Sequence, residues 1–249
     1  MGNQQNADRA RADHADGRAG APPRPPLSRQ VILRRAIEVM DAHGAQGLTM
    51  RVLGQALGVE AMSIYHHVNG REDLLEGVVD LLVSQIRVEP LKTGPGNGWQ
   101  AVLQHLAHSV RALALEHPLI FPLIATRHPS APWLRPPLRS LRVVEEFLDA
   151  LTTRGFTDEQ AVRAYRLFTS FLLGHLLLET ASLGAETSPV EEPLDEGSAD
   201  IPNQDADLSL TEFPLVQRLR PILSEDHTQQ EFEEALEALL DRMDLQLSQ

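Results

Sequence analysis

One long stretch without proline constrains the fold of this chain more than any other feature. The sequence holds 17 prolines, yet none lies between residues 27 and 89. Because proline breaks or kinks helices, its absence favours a compact helical unit. In "SRQVILRRAIEVMDAHG" apolar residues recur at the spacing of one helix face, Ser28 is placed to cap the start, and Gly44 is placed to end it. We predict a first helix between these two residues.

Two short helices are predicted next, in "GLTMRVLGQALGVEAMSIYHHV". Thr49 sits where the N-cap of the first belongs, and Gly58 breaks that helix. The second begins near Glu60 or Ala61. Two short helices joined by a tight turn that contains glycine are typical of a helix-turn-helix.

The rest of the chain also has helical spacing. A longer helix is predicted to start at Asn69 or Gly70, where Asn69 and Glu72 fit a capping box, and to end at Pro90. Further helices are predicted over residues 98–117, 133–154, 157–181, 209–224 and 228–247, with a short segment at 118–127. No alternating strand pattern is evident. We therefore predict an all-α fold.

Composition narrows the class of protein, and the placement of charge matters more than its sum. The net charge is −13, which by itself argues against DNA. From Ser182 onward, however, there are 17 acidic residues and three arginines, so the preceding part is nearly neutral. The sequence has no cysteine, no apolar run long enough to span a bilayer and no hydrophobic signal near its start. We predict a cytoplasmic protein without disulfides.

The helix-turn-helix region resembles the DNA-binding domain of the TetR family of bacterial repressors. The matching features are "GLT" at 47–49, Leu53, Gly58 and Val59, and the block Tyr65-x-His67-Val68-x-x-Arg71-x-x-Leu74-Leu75. The remainder resembles the tetracycline-repressor branch of that family more weakly, through its helix order and the stretch "LLGHLLLE". The resemblance implies an N-terminal three-helix DNA-binding domain and a C-terminal helical domain for ligand binding and dimerisation.

The resemblance also implies which residues contact DNA. In helix-turn-helix proteins the start of the second helix faces base edges in the major groove. The residues predicted to face bases are Glu60, Ala61, Met62 and Ser63. Thr49 and Arg51, which begin the supporting helix, and Tyr65, His67 and Arg71 are predicted to contact the phosphate backbone. His66 either contacts DNA or is solvated.

An effector pocket is predicted in the C-terminal part. Its predicted lining comprises Leu82, Ile86, Leu103, Leu106, Phe171, His175 and Glu179. His175 and Glu179, at i and i+4, form either a polar anchor in that pocket or a hydrogen-bonded pair at a subunit interface. The polar residues that bind tetracycline and magnesium in the related branch are mostly missing, so we expect a different, apolar effector.

No metal, cofactor or catalytic site is predicted. His66 and His67 are adjacent and point about 100° apart on a helix, whereas metal-ligand pairs favour one face. His105 and His108 have better spacing, but no third ligand is evident. We predict a homodimer in which the helices at 157–181 and 228–247 form a four-helix bundle with their symmetry mates.

These expectations define three parts and one function. Residues 1–27 are predicted as a disordered arm, 28–72 as the DNA-binding domain, and 73–249 as the effector-binding and dimerisation domain, with a mobile acidic loop at 184–207. The predicted function is that of a repressor released from a palindromic double-stranded DNA operator by a small molecule. The alternatives are a regulator of the same fold that lacks ligand control or activates, and a helical bundle that carries a ligand or is an enzyme.

Overall fold

The computed structural model describes residues 26–86, 98–126, 140–185 and 213–247. These residues form ten helices and no strand, which confirms the all-α prediction. The predicted arm, apart from its last two residues, and the predicted acidic loop from residue 186 onward lie outside the described residues. The helices are α1 (Arg29–Gly47), α2 (Met50–Leu57), α3 (Ala61–Ile64), α4 (Arg71–Val83), α5 (Trp99–Glu116), α6 (Phe121–Thr126), α7 (Leu141–Thr152), α8 (Asp158–Ser182), α9 (Pro214–Leu223) and α10 (Thr228–Leu247).

The first two helices begin at the predicted caps. The Ser28 hydroxyl accepts a hydrogen bond from the Val31 N–H, and the Thr49 hydroxyl accepts one from the Val52 N–H. Gly44 has a left-handed φ of 70° and breaks the helical geometry of α1 three residues before its assigned end. α1 packs against α2 and α4, and α2 packs against α3. These contacts form the predicted three-helix unit around buried Ile32, Leu53 and Ile64.

The start and the end of α4 both differ from the prediction. Gly70, not Asn69, occupies the N-cap, and no side chain of the described residues caps the helix, so the predicted Asn69–Glu72 capping box is wrong. Instead, the Asn69 N–H donates to the Asp73 carboxylate at 2.7 Å. The helix ends at Val83, well before Pro90, and Ile86 follows in a turn with its side chain still buried.

α4 joins the N-terminal unit to the C-terminal bundle. It packs on α1 on one side and on α6 on the other, and one continuous apolar core runs through both parts. α8 packs against α5, α6, α7 and α10 and is the centre of the bundle. Its predicted start is confirmed, because Thr157 and Gln160 form a reciprocal capping box.

The last two helices differ in burial. Every residue of α9 remains at least partly accessible within the described chain, whereas α10 packs its apolar stripe against its own protomer. That stripe consists of Phe232, Leu236, Leu240 and Met243, all at most 3% exposed. Most of the surface that we predicted for pairing with a second α10 is therefore already buried within one chain. None of the described helices has the length and apolarity needed to cross a membrane.

Candidate nucleic-acid interface and effector cavity

Two glycines shape the turn between α2 and α3. Gly58 closes α2 with φ 69° and ψ 35°, a left-handed conformation in which a side chain is strained. Gly54 has a different role, because a Cβ there would lie 2.9 Å from the Val59 carbonyl oxygen and 3.3 Å from the Ala61 nitrogen. The backbones of the two helices therefore approach each other over Gly54. The role of Gly58 was predicted from the sequence, but Gly54 was missed, since its signal is only its place on the inner face of α2.

Most of the residues predicted to contact DNA are exposed, on α3, beside it and at the starts of α2 and α4. Met62 is 69% exposed and Tyr65 is 48% exposed, while Ile64 between them is fully buried. Of the other predicted contacts, Glu60, His66, Thr49, Arg51 and Arg71 are exposed, and Ala61, Ser63 and His67 are half-buried. The Thr49 hydroxyl already caps α2. Buried Ile64 holds this segment in place, while its exposed neighbours face outward. Such an arrangement can present side chains to a groove of DNA.

Arg71 has a structural role that was not predicted from the sequence. Its Nη2 donates to the Ala45 carbonyl oxygen at 2.8 Å, and its Nε donates to the Leu48 carbonyl oxygen at 3.3 Å. These carbonyls lie at the end of α1 and in the link to α2, and the Ala45 carbonyl oxygen also accepts the Leu48 N–H at 3.3 Å. Arg71 thus fastens the start of α4 to the end of α1 and to the link that leads into α2. Any contact with phosphate would be additional to these bonds.

An ion pair that sequence reasoning missed fixes the end of α3. Arg29 donates to both carboxylate oxygens of Asp73, at 2.6 and 2.9 Å, and to the His67 carbonyl oxygen at 3.2 Å. The hydrogen bond from Arg29, together with that from the Asn69 N–H, lowers the pKa of Asp73 to about 2. The same pairing raises the pKa of Arg29. Both charges are therefore present at neutral pH, and they connect α1, the segment after α3, and α4.

Two polar contacts join the N-terminal part to the bundle. Arg142 on α7 donates through Nη2 to the Ile86 carbonyl oxygen at 3.1 Å and through Nη1 to Glu146 at 3.3 Å. His117, at the end of α5, has its Nδ1 3.0 Å from both carboxylate oxygens of Asp41 on α1. The chain beyond α4 and the first helix are thus each attached to the bundle by a side chain.

A small apolar cavity lies between α4 and the bundle. Its volume is about 30 Å³. Of the predicted effector residues, Ile86 and Leu106 line it, whereas Leu82 and Leu103 are buried but not part of its wall. The complete lining is Val83, Ile86, Leu106, Val110, Leu113, Phe121, Ile124, Ser140, Val143, Phe168, Thr169, Leu172 and Leu173. All of these side chains are apolar except Ser140 and Thr169, which carry hydroxyls.

The other three predicted effector residues lie elsewhere, around the Phe232 ring. Glu179 accepts two hydrogen bonds from Arg111, at 2.6 and 3.1 Å, and Arg111 lies over the Phe232 ring. His175 Nε2 is 4.0 Å from Glu179, which is too long for a hydrogen bond, and Phe171 stacks on Phe232. Both carboxylate oxygens of Glu179 are therefore paired with Arg111. No group of three potential metal ligands occurs among the described residues.

Comparison with known proteins identifies the family. The model of bacterial regulatory proteins of the tetR family matches residues 32–78. The model of the tetracyclin repressor-like C-terminal domain matches residues 91–247, more than half of the chain. Together they cover the helix-turn-helix and the helical bundle.

Individual relatives align with nearly the whole chain. The HTH-type transcriptional repressor DrrR1 of Streptomyces coeruleorubidus is 26% identical over 91% of this chain and 81% of its own length. The class D tetracycline repressor protein of Escherichia coli is 27% identical over 89% of this chain and 91% of its own. Among solved structures, a "possible TetR family transcriptional regulator" from Streptomyces coelicolor A3(2) superposes with a TM-score of 0.66 at 25% identity, covering 88% of this chain and 99% of that one. The chain therefore belongs to the TetR family of bacterial regulatory proteins and is a DNA-binding transcriptional regulator with a tetracycline-repressor-like C-terminal domain.

Proposed function

We propose that this regulator is a homodimeric repressor that a small apolar effector releases from a palindromic operator. The observation that carries the proposal is the position of α4. Arg71, its first residue, is bonded to the link that leads into α2, and Val83, its last residue, lines the apolar cavity. One element thus touches both the DNA-reading unit and the cavity.

Contacts with DNA are assigned to the exposed residues of α3 and to the starts of α2 and α4. Met62 and Ala61 would lie against base edges, where their apolar groups suit a thymine methyl. Arg51 is exposed at the start of α2 and can pair with phosphate. The excess of acidic residues lies from Ser182 onward, in a different part of the sequence from these residues. The net charge of −13 is therefore compatible with DNA binding.

The size of the cavity suggests how an effector acts. Pockets for small organic ligands are typically about 300–1,000 Å³, far larger than the 30 Å³ present here. An effector must therefore displace the walls. Ile86 belongs to one wall, and its carbonyl oxygen is held by Arg142. Displacing Ile86 would shift α4 and, through Arg71, the link to α2, the helix that packs against the recognition helix. Operator and effector then favour different states of the protein and oppose each other reciprocally.

A homodimer accounts for the apolar surface left exposed on α8 and α9. Leu167 and Leu178 on α8 are 41% and 76% exposed, and Gly174 lies between them with open space beside it. α9 exposes apolar side chains along its whole length. Exposed apolar side chains on these two helices support association with a second copy. A second copy, related by a two-fold axis, would place two α3 helices in successive major grooves about 34–36 Å apart.

Two measurements together test the proposal. A gel shift with the DNA upstream of this gene and of its neighbours should show a specific complex at physiological salt. A reporter driven by the bound promoter should be transcribed more strongly when the protein is absent. Lower transcription would indicate an activator, and no specific complex would favour a helical carrier or enzyme. The absence of catalytic activity and a cytoplasmic location remain predictions.

A further inference from the structure

One threonine in the cavity wall has a hydroxyl without a partner. Thr169 on α8 is 1% exposed and lines the cavity, and its Oγ1 makes no hydrogen bond within the described part of the chain. An unpaired buried hydroxyl is unfavourable, because it has lost water and gained nothing in return. Such a group is uncommon in a folded protein and calls for an explanation.

The other helical threonines show how unusual this is. A threonine within a helix commonly donates to the carbonyl oxygen four residues earlier. Four threonines in the described residues do so at 2.6–2.9 Å, namely Thr126, Thr152, Thr153 and Thr180. Thr180 lies on the same helix as Thr169 and is equally buried, so burial on α8 does not prevent this bond. Thr169 departs from the pattern at a position where the side chain borders the cavity.

Thr169 carries the lining hydroxyl that makes no hydrogen bond to any described residue. The Ser140 hydroxyl already accepts a hydrogen bond from the Val143 N–H at the start of α7. Among the described residues, no charged side chain lines the cavity. An ion would therefore lose its hydration without compensation, whereas an uncharged ring could contact Phe121 and Phe168.

We propose that Thr169 is the specificity-determining residue of the cavity, and that the effector is an uncharged, largely hydrocarbon molecule with one hydroxyl or carbonyl group that hydrogen-bonds to Thr169 Oγ1. A hydroxyl suits both cases, because it accepts from a ligand O–H and donates to a ligand carbonyl. This inference rests on the proposed effector role of the cavity and adds the chemistry of the ligand.

Fluorine NMR titrations of the full-length protein with three ring compounds test the assignment. The probes are fluorobenzene, 4-fluorophenol and 4-fluorobenzoate, which present no polar group, one hydroxyl and one charge. The wild-type protein should bind 4-fluorophenol more tightly than fluorobenzene, and 4-fluorobenzoate most weakly. A six-membered ring exceeds the present cavity, so we expect weak binding for all three.

Substitutions separate the hydroxyl from the shape of the site. Thr169→Val should weaken 4-fluorophenol binding roughly three- to tenfold, the equivalent of one ordinary hydrogen bond, and leave fluorobenzene unchanged. Thr169→Ser should keep the preference for 4-fluorophenol. Thr180→Val is the matched control and should keep the wild-type order. Thr169→Val should also not lower Tm, because it removes no internal hydrogen bond, whereas Thr180→Val should lower it.

Three results would overturn the proposal: the same probe order in Thr169→Val as in the wild type, tightest binding of 4-fluorobenzoate, or no binding of any probe up to its solubility. A gel shift on the same samples distinguishes this failure from failure of the proposed function. Specific DNA binding with any of these results refutes the role of Thr169 alone. Absence of specific DNA binding refutes the proposed repressor function. In that case the order of probe affinities still tests whether Thr169 hydrogen-bonds to a ligand in the cavity.

Discussion

Replacing Arg71 with alanine separates two roles for this residue, one in folding and one in DNA binding. The guanidinium donates to the Ala45 and Leu48 carbonyl oxygens, one bond short and the other long. Charge-assisted hydrogen bonds contribute about 1.5–3 kcal/mol each when well formed. Arg71 is exposed, and one of its bonds is weak, so we expect the pair to contribute about 1.5 kcal/mol in total. For a chain of this size, that corresponds to a fall in Tm of roughly 3–6 °C.

The same variant should change how operator binding depends on salt. The slope of log K against log salt concentration falls by about 0.9 for each phosphate that the protein no longer neutralises. A dimer carries two copies of Arg71, so its slope should fall by about 1.8. Calorimetry measures Tm, and fluorescence anisotropy at several salt concentrations measures the slope. Arg51→Ala is the control, because the exposed Arg51 side chain makes no hydrogen bond to any described residue. It should lower the slope and leave Tm unchanged.

The two proposed roles of Arg71 can be refuted independently of each other. A variant with the wild-type Tm would show that the bonds to α1 do not stabilise the unit. A variant with lower Tm and the wild-type salt slope would show that Arg71 is architectural only, against the role implied by the family resemblance.

Three further substitutions test contacts that determine the site. Gly54→Ala places a Cβ 2.9 Å from the Val59 carbonyl oxygen, so unfolding experiments should show a loss of about 1–3 kcal/mol together with weaker operator binding. Asp73→Asn should reduce stability at neutral pH. Because the pKa of Asp73 is lowered to about 2 in the folded state, the wild-type contribution is complete above about pH 5 and is lost as pH falls toward 2. Urea unfolding between pH 5 and pH 3 should therefore show a flatter profile for the variant. Glu179→Gln leaves Arg111 unpaired and mostly buried, and should cost up to about 3–5 kcal/mol.

Neighbouring positions provide controls for two of these variants. Gln55→Ala, on the exposed side of α2, should leave stability within about 0.5 kcal/mol of the wild type. Glu233→Gln removes a half-exposed carboxylate near His108 and should have an equally small effect. If Gly54→Ala matched its control, the close approach of α2 and α3 would not depend on glycine. If Glu179→Gln matched Glu233→Gln, the bidentate pair would not stabilise the bundle. A wild-type pH profile for Asp73→Asn would contradict the pairing with Arg29.

Local sequence signals predicted the helices and most of their starts, because those depend on residues a few positions apart. Ser28 and Thr49 act as N-caps where they were expected, and Thr157, the first residue of the helix predicted over 157–181, caps α8. The prediction failed at Asn69, which has two acidic residues, Glu72 and Asp73, within four positions. Glu72 had the spacing of a capping box, but Asp73 accepts the Asn69 N–H because Arg29, 44 positions earlier, orients its carboxylate.

Contacts between distant parts of the chain could not be predicted from spacing. Arg111 and Glu179 are 68 positions apart, and nothing in either local sequence indicates the pair. The i, i+4 spacing of His175 and Glu179 was a real signal, yet Arg111 takes the carboxylate. The effector residues were predicted as one set, but the bundle divides them between the cavity and the Phe232 ring. Thr169 was missed because a threonine without its helical hydrogen bond is visible only in three dimensions.

Selection of bound DNA from a random oligonucleotide pool tests the central claim most directly. We expect an enriched palindrome whose half-sites are centred about 10–10.5 base pairs apart, or a multiple of that spacing, with two protomers bound to each site. Enrichment of a single half-site bound by one protomer, or no enrichment over the starting pool, would contradict recognition of a palindromic operator by a homodimer.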